Sequence, residues 1–134
     1  MPLMPYLHFQ GNCAEALEFY RDIFDGTGLQ LMRYADQPEA KPEWKGAMEV
    51  MHGQVVLGDG VLMASDFPPG MEGDAQAGVS IMQSAPDIET GRGWFDSLAQ
   101  EGAVVQDYGP TFFSPGFGMV KDRFGTHWMI AAAG

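Results

Sequence analysis

The same order of sequence signals runs twice along this 134-residue chain, and that repetition narrows the folds open to it. Each half reads as a strand, a capped helix and an apolar hairpin ending near an aspartate and a glycine. The first helix is predicted over 12–24 and the second over 87–100. A shift of 75 positions lays Asn12 on Asp87, Phe19-Tyr20 on Trp94-Phe95, and Ile23 on Leu98. Two such half-size modules can enclose a shared concave sheet, a shape suited to small-molecule binding.

The length fits one compact domain or two intimate modules, not two independent domains. With 46% hydrophobic and only 19% charged residues, the chain has material for a core and does not read as disordered. Eighteen acidic against seven basic residues give a net charge of -11 with no Lys/Arg cluster, which argues against a nucleic-acid partner. Cys13 is the single cysteine, so no intramolecular disulfide forms and a reducing cytoplasm fits. It reads as a small buried apolar residue rather than an activated thiol. Met1-Pro2-Leu3-Met4-Pro5 lacks a signal-peptide pattern, and no apolar stretch approaches the ~20 residues of a membrane span.

In the first half a strand covers 6–9. Asn12 is placed to cap the helix, with Glu15 at the capping-box position. Cys13, Ala16, Leu17, Tyr20, Ile23 and Phe24 recur at helical spacing and form its apolar face. Gly26 and Gly28 are expected to end it. A strand returns over 29–34, and 36–45, with Pro38 and Pro42, reads as an exposed, mobile loop. Strands over 47–57 and 61–64 flank the Gly58-Asp59-Gly60 turn. The Pro/Gly-rich stretch 67–77 is a flexible crossover and the sole internal boundary, leaving modules 1–67 and 76–134. In the second half strands are predicted over 78–82, 103–107, 116–121 and 126–132, with Gly102 closing the helix. Gly91 and Gly93 weaken that helix by about 1 kcal/mol each, so Trp94, Phe95 and Leu98 must hold it by packing on a sheet.

Histidine is the main carrier of candidate chemistry. His8 shares a strand face with Tyr6 and Gln10, and His52 lies in the strand leading to the glycine turn. Either can ligate a metal or act as a base. His127, beside a hairpin turn, is expected to face solvent. Asp66 and Asp122 are expected to satisfy backbone donors at turns. Glu49 lies three residues from His52, on the opposite strand face, so the two do not form a metal pair. No HExxH, CxxC, P-loop or GxSxG pattern occurs. Phe112, Phe113, Phe117, Phe124, Trp128 and Met129 are mainly core material. Because 110–118 is punctuated by Gly and Pro, its rings Phe113 and Phe117 are candidates to line a ligand pocket or a subunit contact, and Trp128 is a further ligand-binding candidate.

Pro5-Tyr6-Leu7-His8-Phe9-Gln10-Gly11-Asn12, followed by Ala16-Leu17-Glu18-Phe19-Tyr20, resembles the PhnB-like branch of the glyoxalase/bleomycin-resistance, or vicinal oxygen chelate, superfamily. Leu62-Met63-Ala64-Ser65-Asp66 and the run from Gly116 to Ile130 extend the resemblance over essentially the whole chain. It implies one α+β domain over 1–134, built of two βαβββ modules whose curved mixed sheets wrap a cavity, usually in a homodimer. Metal-dependent superfamily members hold a divalent ion through His, Gln or Glu near the first and last strands of the modules. Here the usual first-strand position falls near Pro5 and the usual last-strand glutamate on Met129, a poor ligand for a hard cation. His8 and His52 supply two good ligands for a displaced site. The branch also carries a demethylubiquinone methyltransferase label, yet the chain has no glycine-rich nucleotide-binding loop. The expectation is a PhnB-like protein of unassigned role that binds a small molecule in its sheet cavity. The alternative is a divalent-metal-dependent lyase, isomerase or dioxygenase acting on a small oxygenated metabolite.

Overall fold

The computed structural model describes residues 2–133, which fall into two compact units divided between Ala75 and Gln76. The first contains β1 (Tyr6–Phe9), α1 (Cys13–Phe24), β2 (Thr27–Arg33), β3 (Val50–Leu57) and β4 (Gly60–Asp66). The second contains β5 (Ser80–Ala85), α2 (Ile88–Ala99), β6 (Ala103–Gly109), β7 (Gly116–Lys121) and β8 (His127–Ala132). The strand orders are β1-β4-β3-β2 and β5-β8-β7-β6. In each sheet the first strand runs parallel to the last of its unit, and the other neighbours are antiparallel. Two open, mixed βαβββ sheets result, as the doubled motif order and the resemblance both imply.

One face of each sheet is closed by its helix. Cys13, Ala16, Leu17, Tyr20 and Phe24 are buried along α1, while Ile23 is half-buried at the rim. Gly53 of β3 belongs to the covered face, since a Cβ there would run into the Leu17 and Leu31 side chains. Strand alternation then puts Leu7, Phe9, Val55 and Leu62 on the same buried side.

The ends of α1 depart from expectation. Asn12 holds the N-cap position, but its side chain makes no cap hydrogen bond. The acceptor comes instead from Asp66 at the end of β4, whose Oδ1 receives the Gly11 and Cys13 amides at 2.9 Å each. At the other end Asp25, not a glycine, takes the left-handed conformation at φ 57°. Aspartate tolerates that region better than most residues. Gly26 answers a different need, because a Cβ there would press on Leu57, Val55 and the Val56 carbonyl.

The stretch expected to be a mobile loop is organised by two short 3₁₀ turns, Tyr34–Asp36 and Pro42–Trp44. Half-buried Trp44 meets Tyr34 edge-on at 4.9 Å between ring centroids, and the Lys41 ammonium lies 5.1 Å above the Trp44 ring. Aromatic packing anchors what the prolines and charges had suggested was loose.

In the second unit Asp87 caps α2 as expected, its Oδ1 accepting the Thr90 amide at 2.7 Å. Phe95 and Leu98 are buried beneath the helix, and Trp94 is half-buried. Asp122 plays the predicted turn role in full: Oδ1 accepts the Phe124 and Thr126 amides and Oδ2 accepts Trp128 Nε1. His127 does not face solvent freely. It is half-buried, and its Nδ1 is a buried nitrogen with no hydrogen-bond partner among the described residues.

Candidate functional site

Tyr6 and His8 project from β1 to the side opposite Leu7 and Phe9, away from α1. The parallel register sets Tyr6 beside Met63 and His8 beside Ser65 on β4. The antiparallel register sets Gln54 beside Met63 and Met32 beside His52. The helix-free face of this sheet therefore gathers Tyr6, His8, His52, Gln54, Met63 and Ser65.

These side chains interlock. The Tyr6 hydroxyl lies 2.9 Å from His52 Nδ1, and His52 Nε2 lies 3.1 Å from Gln54 Oε1. A carbonyl oxygen can only accept, so Nε2 donates to Gln54, and in the neutral imidazole Nδ1 then accepts from the Tyr6 hydroxyl. His8 Nδ1 is 3.3 Å from the Ser65 hydroxyl. The Tyr6 ring lies 5.3 Å from His8 and 5.6 Å from His52, while His8 stacks on Phe67 at 5.5 Å. The result is a continuous row, His52–Tyr6–His8–Phe67, with Tyr6 left 41% exposed.

Beyond the end of β1, Gln10 is tied to the crossover segment. Its Nε2 donates to the Met71 carbonyl at 2.7 Å, and its Oε1 accepts the Gly73 amide at 3.0 Å. Gln10, Phe67, Met71 and Gly73 border an open hollow of about 490 Å³.

The structure brings His8 and His52 onto one face, but Tyr6 stands between them and both His52 nitrogens are engaged. Among the described residues no group of three or more His, Cys, Asp or Glu side chains converges as a metal site would require. The divalent ion implied by the superfamily does not fit this donor set. Met129, at the last-strand position, offers only a soft thioether.

The remaining sequence candidates lie in the second unit. Phe113 is 57% exposed and meets Phe117 edge-on at 4.9 Å, with Phe117 itself 3% exposed. Trp128 is 1% exposed and paired opposite Val120. Gly118, on that side of β7, abuts the Phe95 ring, so Trp128 belongs to the core under α2. A buried indole fixed to Asp122 has no face to offer a ligand. Gln54, Ser65 and Phe67 were not singled out from sequence. The i, i+2 spacing of His52 and Gln54 was the available signal for the first of them.

A model of the 3-demethylubiquinone-9 3-methyltransferase family matches residues 2–131. The chain belongs to that family. Protein YjdN from Escherichia coli (strain K12) is 30% identical over 140 residues, covering 97% of this chain and 94% of that protein. Protein PA1353 from Pseudomonas aeruginosa superposes with a TM-score of 0.89 at 35% identity, over 98% of this chain and 97% of that one. The PhnB protein from Bacillus cereus gives 0.81 at 25% identity, over 99% and 100% of the two chains. Two further likenesses concern the fold alone. The fosfomycin resistance protein FosX from Listeria monocytogenes has a TM-score of 0.64 at 8% identity, covering 100% of this chain and 93% of its own. Lactoylglutathione lyase from Agrobacterium tumefaciens has 0.56 at 16%, covering 99% and 93%. This 3-demethylubiquinone-9 3-methyltransferase family member thus has a glyoxalase-like fold and is similar over its whole length to a PhnB protein. The methyl transfer in the family's name finds no glycine-rich nucleotide loop here, for β1 and β5 enter their helices through Gln10-Gly11-Asn12 and Pro86-Asp87. No helix among the described residues is long and apolar enough to cross a membrane.

Proposed function

We propose that this PhnB-like protein binds a small, partly aromatic molecule on the helix-free face of its first sheet, with His8 and His52 among the contact residues. The observation that carries this reading is the row of four rings in contact, its Tyr6 hydroxyl hydrogen-bonded to His52, His52 to Gln54 and His8 to Ser65, while Tyr6 stays exposed. Exposed rings in fixed orientation offer stacking surface at little further entropic cost. Tyr6, Gln54 and Ser65 supply the few directional polar groups that fix a ligand's orientation. Phe113, over buried Phe117, is a second apolar contact surface. The metal-dependent alternative gains no support from a pair of histidines separated by a tyrosine.

A thermal-shift screen of small aromatic and oxygenated molecules tests the reading, run on wild-type protein and on Tyr6→Ala and His52→Ala. A ligand at a hundred times its Kd stabilises by about 2.7 kcal/mol, and both substitutions should abolish that gain. Organic ligands without effect, beside strong stabilisation by a divalent ion that chelator reverses, would move the assignment to the metal-dependent enzyme.

Homodimerisation accompanies this proposal. β6 is a sheet edge carrying exposed Val104 and Val105, and uncovered edges invite pairing. Light scattering at micromolar concentration should give twice the chain mass; a monomer refutes it.

A further inference from the structure

The helix-free face of the second sheet carries a row of sulphur donors. Along β8 the buried Trp128, Ile130 and Ala132 alternate with the half-buried His127, Met129 and Ala131. Trp128 lies in the core under α2, so strand alternation places His127 and Met129 on the opposite side. The register sets Met129 beside Met82 of β5 and, on its other flank, beside Met119 of β7. Cross-strand partners share a face, so three methionines stand in one line across three neighbouring strands. Met82 is 53% exposed, and Met119 and Met129 are half-buried.

Neighbouring strands lie about 4.8 Å apart, which puts Met82 and Met119 one strand spacing to either side of Met129. Methionine is unbranched and flexible, so both outer thioethers can swing toward the central one and close on a single ion. Thioether sulphur is neutral and polarizable: it suits a soft ion such as copper(I) and binds magnesium, calcium or manganese poorly. His127, two residues before Met129, adds an imidazole on the same strand face. Its Nδ1 is a buried nitrogen without a hydrogen-bond partner among the described residues, a condition that a bound ion relieves. Lys121, opposite His127, is exposed, where water and salt screen its charge, and the net charge of -11 favours a cation. We propose that Met82, Met119 and Met129, with His127 as a fourth donor, form a site for a soft monovalent metal ion, copper(I) or its analogue silver(I). The site uses no residue of the ligand face in the first unit, so either assignment stands or falls without the other.

The test follows the methionine methyl signals by nuclear magnetic resonance while silver(I) nitrate is added in chloride-free buffer. One equivalent should shift the methyls of Met82, Met119 and Met129 and leave those of Met32 and Met63, on the first sheet, in place. Magnesium should move none of them. Copper(I) affinity is then measured anaerobically by competition with a chromogenic chelator. Met129→Leu preserves volume and should weaken binding at least about tenfold, since loss of even an outer-shell partner of a metal ligand costs that much. Met82→Leu, at an exposed position, should also weaken it and serves where the first variant fails to fold. Three methyl signals indifferent to silver, or leucine variants that bind like the wild type, overturn the proposal. Capture that survives Met129→Leu but is lost in Cys13→Ala assigns the metal to the thiol and overturns it equally.

Discussion

Asp66 and Cys13 are linked by a 2.9 Å hydrogen bond from the Cys13 amide to the Asp66 carboxylate, so the last residue of β4 caps the first helix. The same carboxylate also receives the Gly11 amide, and its second oxygen takes the Val50 amide at 2.8 Å. Asp66 is 1% exposed, and removing it strands three amides, two of them beyond easy reach of water. Asp66→Ala should therefore cost about 3 kcal/mol or more in urea denaturation. Asn12→Ala, at the nominal cap, should change stability by less than about 0.5 kcal/mol. Equal losses from the two substitutions would refute the division of labour.

The two helix glycines should respond in opposite directions. Gly91 is buried against the Tyr108 hydroxyl, which donates to the Ile88 carbonyl at 2.7 Å, and a Cβ there would collide with that oxygen. Gly93 has nothing near its missing side chain. Gly93→Ala should stabilise by about 0.5–1 kcal/mol through helix propensity and a less free unfolded chain. Gly91→Ala should destabilise by about 1–3 kcal/mol as an overpacked contact. Denaturation midpoints moving the same way would contradict this.

Cys13 should be inert in the folded protein. Burial, and then the nearby Asp66 charge, push its thiol from 9.0 up to about 12. Thiolate is the reactive form, so labelling by a disulfide reagent at neutral pH should proceed only through unfolding. Between 9.0 and 12 the folded state holds a proton that the unfolded chain releases, so this group's contribution to stability falls as pH rises across that window. Rapid labelling of native protein would sink both statements.

The α2 cap should fade in acid. The Thr90 amide bond holds the Asp87 carboxyl below its ordinary 3.8. Its stabilising effect is complete above that value and is lost as pH falls through the lower folded value. Asp87→Ala should lower Tm at neutral pH, and the difference from wild type should shrink as pH falls below 3.8 and through the carboxyl's lower folded value. An effect independent of pH would mean that the charge is not what the helix end recognises.

Much of the fold was legible because its signals are local. The spacing of Cys13, Ala16, Leu17, Tyr20 and Phe24 marks one helix, and Asp87 three residues before Thr90 marks the start of the other. Gly58-Asp59-Gly60 and Asp122-Arg123-Phe124-Gly125 mark turns whose backbone demands are met within a few residues. The site was legible only in part. Strand alternation put Tyr6, His8 and Gln10 on one face, but it could not say which neighbours would occupy their polar atoms. Trp128 illustrates the limit: an aromatic next to a turn reads alike whether it lines a pocket or supports a helix.

The chain by itself determined the order, type and duplication of its elements, because helical and strand periodicity involve residues within a turn or a pleat of one another. Only the tertiary structure decided that Asp66 rather than Asn12 caps α1, that both His52 nitrogens are taken, and that Gln10 grips Met71 and Gly73. Each of those choices joins groups far apart in sequence, and strand pairing sets which of many possible partners arrives first at hydrogen-bonding distance.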